Sequence, residues 1–207
     1  NAYAVHDFDN RSDDLLDIFT EAEKYGNLDR IFYFASTSKI TFPGGGVAMM
    51  AGGEATIAEA KKHIGIQTIG PDKLNQLRHV KFFKTPENVV EHMKKHGACL
   101  KPKFDAVIET FEKEFTGLGI AEWLNPNGGY FISLDVYKGC AKKTVALCKE
   151  AGVTLTGAGA TYPYGKDPED KNIRIAPTFP SRDELCKAVE ILCICVEIAA
   201  IEKILEK

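Results

Sequence analysis

The chain has 207 residues, 44% of them hydrophobic and 27% charged, with a formal net charge of -3; that is ordinary for a globular protein of one large or two small domains, and it lacks the basic excess of a nucleic-acid groove. No apolar run is long enough to cross a bilayer, since the most apolar segment, 188–201, is interrupted by Glu190 and Glu197. The six cysteines, Cys99, Cys140, Cys148, Cys186, Cys193 and Cys195, lie mostly in helical apolar patterns without zinc-finger spacing, and so read as reduced, buried small hydrophobes that hold no metal and point to the cytoplasm.

In chain order, residues 12–25 have amphipathic helical spacing, with Ser12 as cap, Leu15, Leu16, Ile18 and Phe19 as the apolar face, and Gly26 as the stop. Residues 30–35 are a short apolar run rich in aromatics, the pattern of a buried strand. Residues 47–50 read as the start of a helix, and 54–63 and 71–79 as two further helices. Thr85-Pro86-Glu87 has the order of a cap, a first-turn proline and an early acid; helical periodicity then runs to about Phe115, with Gly97 as a weak point. Residues 122–124 and 129–136 read as strands around the turn Asn125-Pro126-Asn127-Gly128. A helix over 139–150 ends at Gly152, and 153–155 and 172–176 are short strands. Ser181 caps a long closing helix, with Asp183 and Glu184 in its first turn. Alternating strands and helices predict an α/β or α+β class, with a boundary between two lobes at 84–87.

Between the aromatic run and the next element lies STSKITFPGGG, residues 36–46. A lysine after a buried strand, beside a glycine loop, has two chemical uses: it can hold a phosphate as a point charge, or lose its proton and act as a nucleophile. Bare glycine amides approach an anion closely, but here the glycines follow the lysine, so the pattern is not a P-loop. A surface lysine at a strand end is the plain alternative, and the residues alone leave all three readings open.

STSK after an aromatic strand resembles the active-site lysine segment of fold-type I pyridoxal-phosphate enzymes, the aspartate aminotransferase superfamily. The longer run STSKITFPGGGVAMMA, followed by TIGPDKLNQLRHVKFF, is similar to the class I branch related to the aminotransferase-like domain of MocR-type regulators. NAYAVH at 1–6, GGYF at 128–131 and NIRIAP at 172–177 occur in the expected order, so the resemblance covers essentially the whole chain. It implies an α/β fold: the C-terminal part of the large cofactor-binding α/β/α domain over 1–84 and a complete small α+β domain over 85–207, an antiparallel sheet flanked by helices. It implies that Lys39 joins pyridoxal 5'-phosphate covalently and then moves a proton between the substrate α-carbon and the cofactor. Ser36 and Ser38 would hold the cofactor, Ser36 by a hydrogen bond to its phosphate. Tyr3 would bond its phenolic oxygen, the alternative being a packing tyrosine. Arg174 would grip the substrate α-carboxylate, the alternative being a structural salt bridge.

Two departures shape the expectation. Relatives carry an arginine seven or eight residues after the lysine to pair with the phosphate; here Gly46 and Val47 stand there. Phosphate neutralisation is then expected from backbone amides or another arginine, with Thr41 as a candidate hydroxyl. The family's pyridinium-pairing aspartate would precede Tyr3 by three positions, just before the chain begins. The expectation is a C-terminal fragment of a longer homodimeric, cytoplasmic aminotransferase, acting on an amino acid and a 2-oxo acid, with no nucleic-acid or membrane partner and inactive without its N-terminal half. A cofactor-binding sensor lobe of a transcription regulator and a pyridoxal-phosphate-dependent lyase are the alternatives. The side chain of the substrate is not legible.

Overall fold

Local signals set most element ends in the computed structural model, which describes residues 2–9, 15–41 and 43–206. Of these, 2–7 and 15–95 form one compact unit, and 8–9 and 96–206 a second.

In the first unit, α1 spans Ile18–Lys24. It is shorter than its periodicity predicts, because the Asp17 carboxylate caps it by accepting from Phe19 N at 3.0 Å and Thr20 Oγ1 at 2.7 Å. Leu15 and Leu16 precede the helix and are exposed, while the expected cap Ser12 lies outside the described residues. Gly26 ends it with φ 65, a conformation that costs glycine nothing. Strand β1, Phe32–Ser36, pairs antiparallel with β2, Ala48–Gly52, in the register Phe32↔Gly52 to Ser36↔Ala48. This corrects the expected helix start at 47–50: with β1 as a ladder partner, the segment gains backbone bonds as a strand that an isolated helical turn would not supply. It also corrects the expected burial of β1. Phe32 and Phe34 are 61% and 67% exposed, since the hairpin is a two-stranded sheet among the described residues. Helices α2, Glu54–Gln67, and α3, Lys73–Phe83, follow. Asp72 caps α3, and Lys84 at φ 64 ends it, the point at which the sequence places the lobe boundary. Helix α4, Pro86–Phe115, runs uninterrupted through Gly97 and Pro102, and the two compact units divide within it, at 95/96.

In the second unit, strands β3, Ala121–Trp123, β4, Ile132–Val136, and β5, Asn172–Ile175, form one antiparallel sheet in that order. Central β4 alternates strictly, burying Ile132, Leu134 and Val136. Against them lie Phe104, Val107, Phe111 and Phe115 of α4, one face at helical spacing, and Leu185, Val189, Leu192 and Val196 of α6, Arg182–Leu205. Phe111, Phe115 and Trp123 form an aromatic trio with centroids 5.6 to 6.1 Å apart. Helix α5, Ala141–Glu150, packs on α6. The predicted strand at 153–155 does not form: Val153 N bonds Cys148 O at 2.7 Å, back onto the end of α5, and joins no ladder. Ser181 and Glu184 cap α6 reciprocally, as their spacing predicts.

The cysteines are free thiols, with Cys140, Cys148, Cys193 and Cys195 buried, Cys186 half-buried and Cys99 exposed, against expectation for the last. Burial pushes the Cys148 and Cys193 thiols up to about 12, so both stay protonated and inert. Thr144 of α5 is fully buried, and its hydroxyl has no partner among the described residues. Thr144→Val is therefore expected to stabilise the fold by about 1 kcal/mol, raising Tm by roughly 2–5 °C in a thermal melt. A loss of similar size would mean that the hydroxyl is satisfied.

Candidate active site

The chain leaves β1 at Ser36 and makes one helical turn: Thr37 O accepts from Ile40 N and Thr41 N, both at 2.9 Å. Two bonds close this turn onto the far end of the loop, Thr37 N to Val47 O at 2.9 Å and Val47 N to Thr37 Oγ1 at 2.9 Å. Lys39 therefore sits, exposed, on a turn that is pinned at its base. The glycines earn their place by sterics. Gly44 has φ 80, and a Cβ on Gly46 would lie 3.0 Å from Ser38 Oγ and 3.1 Å from Ser38 N. A side chain at 46 would push the loop a few tenths of an ångström off the Ser38 amide.

Ser36 Oγ donates to Ser38 Oγ at 3.0 Å and accepts from Ser38 N at 3.4 Å. The two predicted serines thus form one hydroxyl pair, in which the Ser38 O–H is the remaining donor. Thr41 is not part of it: its hydroxyl proton goes to Thr37 O at 3.1 Å, the common i to i−4 bond of a threonine in a helical turn. The Val47 amide donates to Thr37 Oγ1.

Tyr3 reaches this turn through a residue that sequence reasoning gave no role. His6 N donates to Tyr3 O at 3.0 Å, the two rings meet edge to face at 5.5 Å, and His6 Nε2 donates to Lys39 O at 2.9 Å. His6 is 1% exposed. Tyr3, His6 and Lys39 thus belong to one cluster. Beside it a groove of about 380 Å³ is lined by Ala4, Val5, Tyr33, Ser36, Ile40 and Met49. Two further imidazoles reach the turn: His92 Nε2 donates to Ile40 O at 3.0 Å, and His79 Nε2 lies 3.0 Å from Thr37 Oγ1. A lysine, two adjacent hydroxyls and a glycine-lined amide turn form a donor set that fits a small anion carrying a carbonyl group.

Arg174 lies in the second unit, in the middle of β5, opposite Ser133 of β4. Its guanidinium stands 4.4 Å from the centroid of the Phe131 ring. Its Nε is buried and without a hydrogen-bond partner, and among the described residues it makes no ion pair. A cleft of about 570 Å³ adjoins it, lined by Thr154, Thr156, Phe179 and Leu185 among others. Neighbouring Asn172 is a buried junction: its Nδ2 donates to Ser133 Oγ at 2.9 Å and Asp135 Oδ1 at 2.6 Å, and its Oδ1 accepts from Thr161 Oγ1 at 2.6 Å. Lys103 Nζ ties the loop after β5 by bonds to Thr178 O at 2.8 Å and Pro180 O at 2.6 Å.

Asp167 fixes the approach to β5, accepting from Glu169 N at 2.9 Å and from Lys171 N and Asn172 N at 2.8 Å. Partial desolvation pushes its carboxyl up, but the backbone N–H groups of Asn172, Lys171, Glu169 and Asp170 together pull it further down, below its ordinary 3.8. A lowered folded value means that the stabilisation is complete above about pH 4 and is lost as pH falls through that value. Asp167→Asn is expected to destabilise the neutral protein by about 1 kcal/mol, solvent discounting the charged bonds. It should also remove this component of the acid-side decline in Tm; an unchanged Tm and acid profile would contradict this role.

Among the described residues, no helix is long and apolar enough to cross a membrane, and no three His, Cys, Asp or Glu side chains are grouped to hold a metal.

A family model described as aspartate amino-transferase matches residues 1–207. The chain is 46% identical over 206 residues to an aspartate aminotransferase of Corynebacterium glutamicum, and 48% identical over 205 residues to a provisionally named aminotransferase of Mycolicibacterium smegmatis. These alignments take in 98% and 99% of this chain but 47% and 48% of the relatives, so the chain spans about half their length. The crystal structure of an aspartate transaminase from Corynebacterium glutamicum superposes with a TM-score of 0.94 at 44% identity, covering 98% of this chain and 48% of that one. An alpha-aminoadipate aminotransferase of Thermus thermophilus, solved with N-(5'-phosphopyridoxyl)-L-leucine, shares the fold at 19% identity, with a TM-score of 0.76, 97% of this chain and 50% of that one.

Proposed function

The chain belongs to the aspartate aminotransferase family, and from that premise we propose that it is the C-terminal half of a pyridoxal-phosphate-dependent enzyme moving an amino group between an amino acid and a 2-oxo acid. The observation that carries the reading is the Lys39 turn, pinned at Thr37 and Val47, beside the Ser36–Ser38 hydroxyl pair and under Gly46. When bound, pyridoxal phosphate supplies an aldehyde that captures the amino group and a ring that takes up electron density from the α-carbon. The chain's own residues do the rest. Ser38, with Ser36, donates to the phosphate. Tyr3, half-buried and tied through His6 to the Lys39 carbonyl, donates to the phenolic oxygen. The Lys39 amine holds the cofactor at rest and afterwards carries a proton at Nζ to and from the substrate α-carbon. Arg174 receives the substrate carboxylate: its guanidinium, stacked on Phe131 and without an ion pair among the described residues, lines a cleft of about 570 Å³.

In this proposal residues 1–84 belong to the large cofactor domain and 85–207 are the small domain. The other half of the same protein covers Phe32 and Phe34 on β1 and supplies the partner of the ring nitrogen. Two support that extent: the chain's half-length coverage of its relatives, and the exposed apolar face of a two-stranded sheet. The isolated chain is accordingly inactive, and the complete enzyme is a homodimer. Free cysteines favour a reducing compartment, the cytoplasm.

The test is a panel of amino donors with a 2-oxo acid acceptor, offered to the full-length protein. One new 2-oxo acid formed per amino group transferred supports the proposal. Release of carbon dioxide or ammonia without transfer would assign a lyase, and cofactor binding without any turnover a sensor lobe.

A further inference from the structure

The three histidines that reach the Lys39 turn come from separate segments: the Tyr3–His6 turn, α3 and α4. Their proton positions follow from their partners. His6 Nε2 and His92 Nε2 each meet a backbone carbonyl, Lys39 O at 2.9 Å and Ile40 O at 3.0 Å, so both nitrogens carry hydrogen. His79 is the reverse. Its Nδ1 lies 2.9 Å from Asn75 O and must donate there, which leaves Nε2 of the neutral ring as an acceptor. Thr41 Oγ1 also lies 3.3 Å from His79 Nε2, but its proton takes the shorter path to Thr37 O at 3.1 Å, so the donor to His79 Nε2 is Thr37 Oγ1 at 3.0 Å. The same Thr37 oxygen accepts Val47 N–H at 2.9 Å. Asn75 adds a second strut from α3, donating from Nδ2 to Gly46 O at 2.9 Å. One face of α3 thus grips both ends of the loop that bears Lys39.

We propose that His79 is a positioning residue for Lys39, acting through Thr37, with His6 and His92 bracing the carbonyls of Lys39 and Ile40. This role rests on the reading of Lys39 as the cofactor-bearing lysine. The neutral Lys39 amine adds to the aldehyde carbon of pyridoxal phosphate and water leaves; the resulting carbon–nitrogen double bond takes hydride from borohydride to give a stable secondary amine. Addition needs the amine within a narrow range of approach to the carbon, and displacements near 1 Å change such rates by about 100-fold. Thr37 lies two residues before Lys39, so freeing its side chain lets the turn open and spreads the positions of the amine.

The test uses full-length protein and pyridoxal phosphate, with four readouts: nitrogen-15 spectra of the histidines, exchange of the Val47 amide, the rate at which a borohydride-stable group appears on Lys39, and thermal melting. Expected are an Nδ1–H tautomer for His79 and Nε2–H tautomers for His6 and His92. His79→Leu should speed Val47 exchange and slow attachment by about 10-fold or more while melting as a folded protein. His79→Gln, whose amide oxygen can accept from Thr37, should recover attachment to within about 3-fold of wild type. An Nε2–H tautomer at His79 would overturn the proposal, even if the leucine variant fails to fold. So would wild-type attachment in His79→Leu, or a folded glutamine variant no better than leucine. Those results leave the cofactor reading standing; absence of any attachment in the wild-type protein would overturn that reading and this role together.

Discussion

Lys39→Ala in the full-length protein should lower turnover by about 10⁴-fold or more, the scale of losing a positioned group that acts both as nucleophile and as proton carrier. Alanine removes the amine and keeps the backbone of the turn. The turn is built from backbone bonds of Thr37, Ile40, Thr41 and Val47, and His6 bonds the Lys39 carbonyl rather than its side chain. The variant should therefore melt as a folded protein, and it should still bind the cofactor reversibly through the serine pair. Arginine in place of lysine should not rescue, because a guanidinium stays protonated and cannot attack a carbonyl. Turnover within a few-fold of wild type in Lys39→Ala would transfer the role to another residue.

Arg174→Ala should depress kcat/KM for every amino donor alike. A guanidinium that pairs with a desolvated carboxylate is worth about 2–5 kcal/mol when truncated, or roughly 30- to 5,000-fold. The geometry explains why lysine should not substitute. Phe131 packs on the flat guanidinium at 4.4 Å, an arrangement that a single ammonium cannot copy. Cofactor attachment to Lys39 should be unaffected, since in the proposed arrangement Arg174 receives the substrate and not the cofactor. Loss of cofactor with unchanged donor kinetics would assign Arg174 a structural or phosphate-binding role instead.

Legibility followed the range of the interaction. The Ser181–Glu184 box, the Pro86 start of α4 and the glycine stops at Gly26 and Gly152 were readable because each is settled within a few residues. Residues 129–136 were readable as a strand, on which Ile132, Leu134 and Val136 alternate toward the core. Segment 47–50 was misread because its state depends on β1, more than ten residues away, which offers it a ladder. Residues 153–155 were misread in the other direction: β propensity was present, but the Val153 amide was taken by the end of α5. At the site, Ser36, Ser38 and Lys39 share a short motif and could be found together. His79 and Asn75 are one helical turn apart, so their common face was legible, but not that it meets Thr37 and Gly46 more than 25 residues upstream. The candidate hydroxyl of Thr41 donates within the turn, to Thr37 O, a bond that the motif alone does not reveal.

The central claim is that Lys39 is the residue that bears the cofactor. The direct measurement is borohydride reduction of the full-length protein with pyridoxal phosphate, followed by proteolysis and mass mapping of the phosphopyridoxyl group. The group is expected on the peptide containing Ser36 to Gly46, at Lys39, in one-to-one stoichiometry with the chain. A phosphopyridoxyl group on any other lysine, with Lys39 unmodified, would contradict the account.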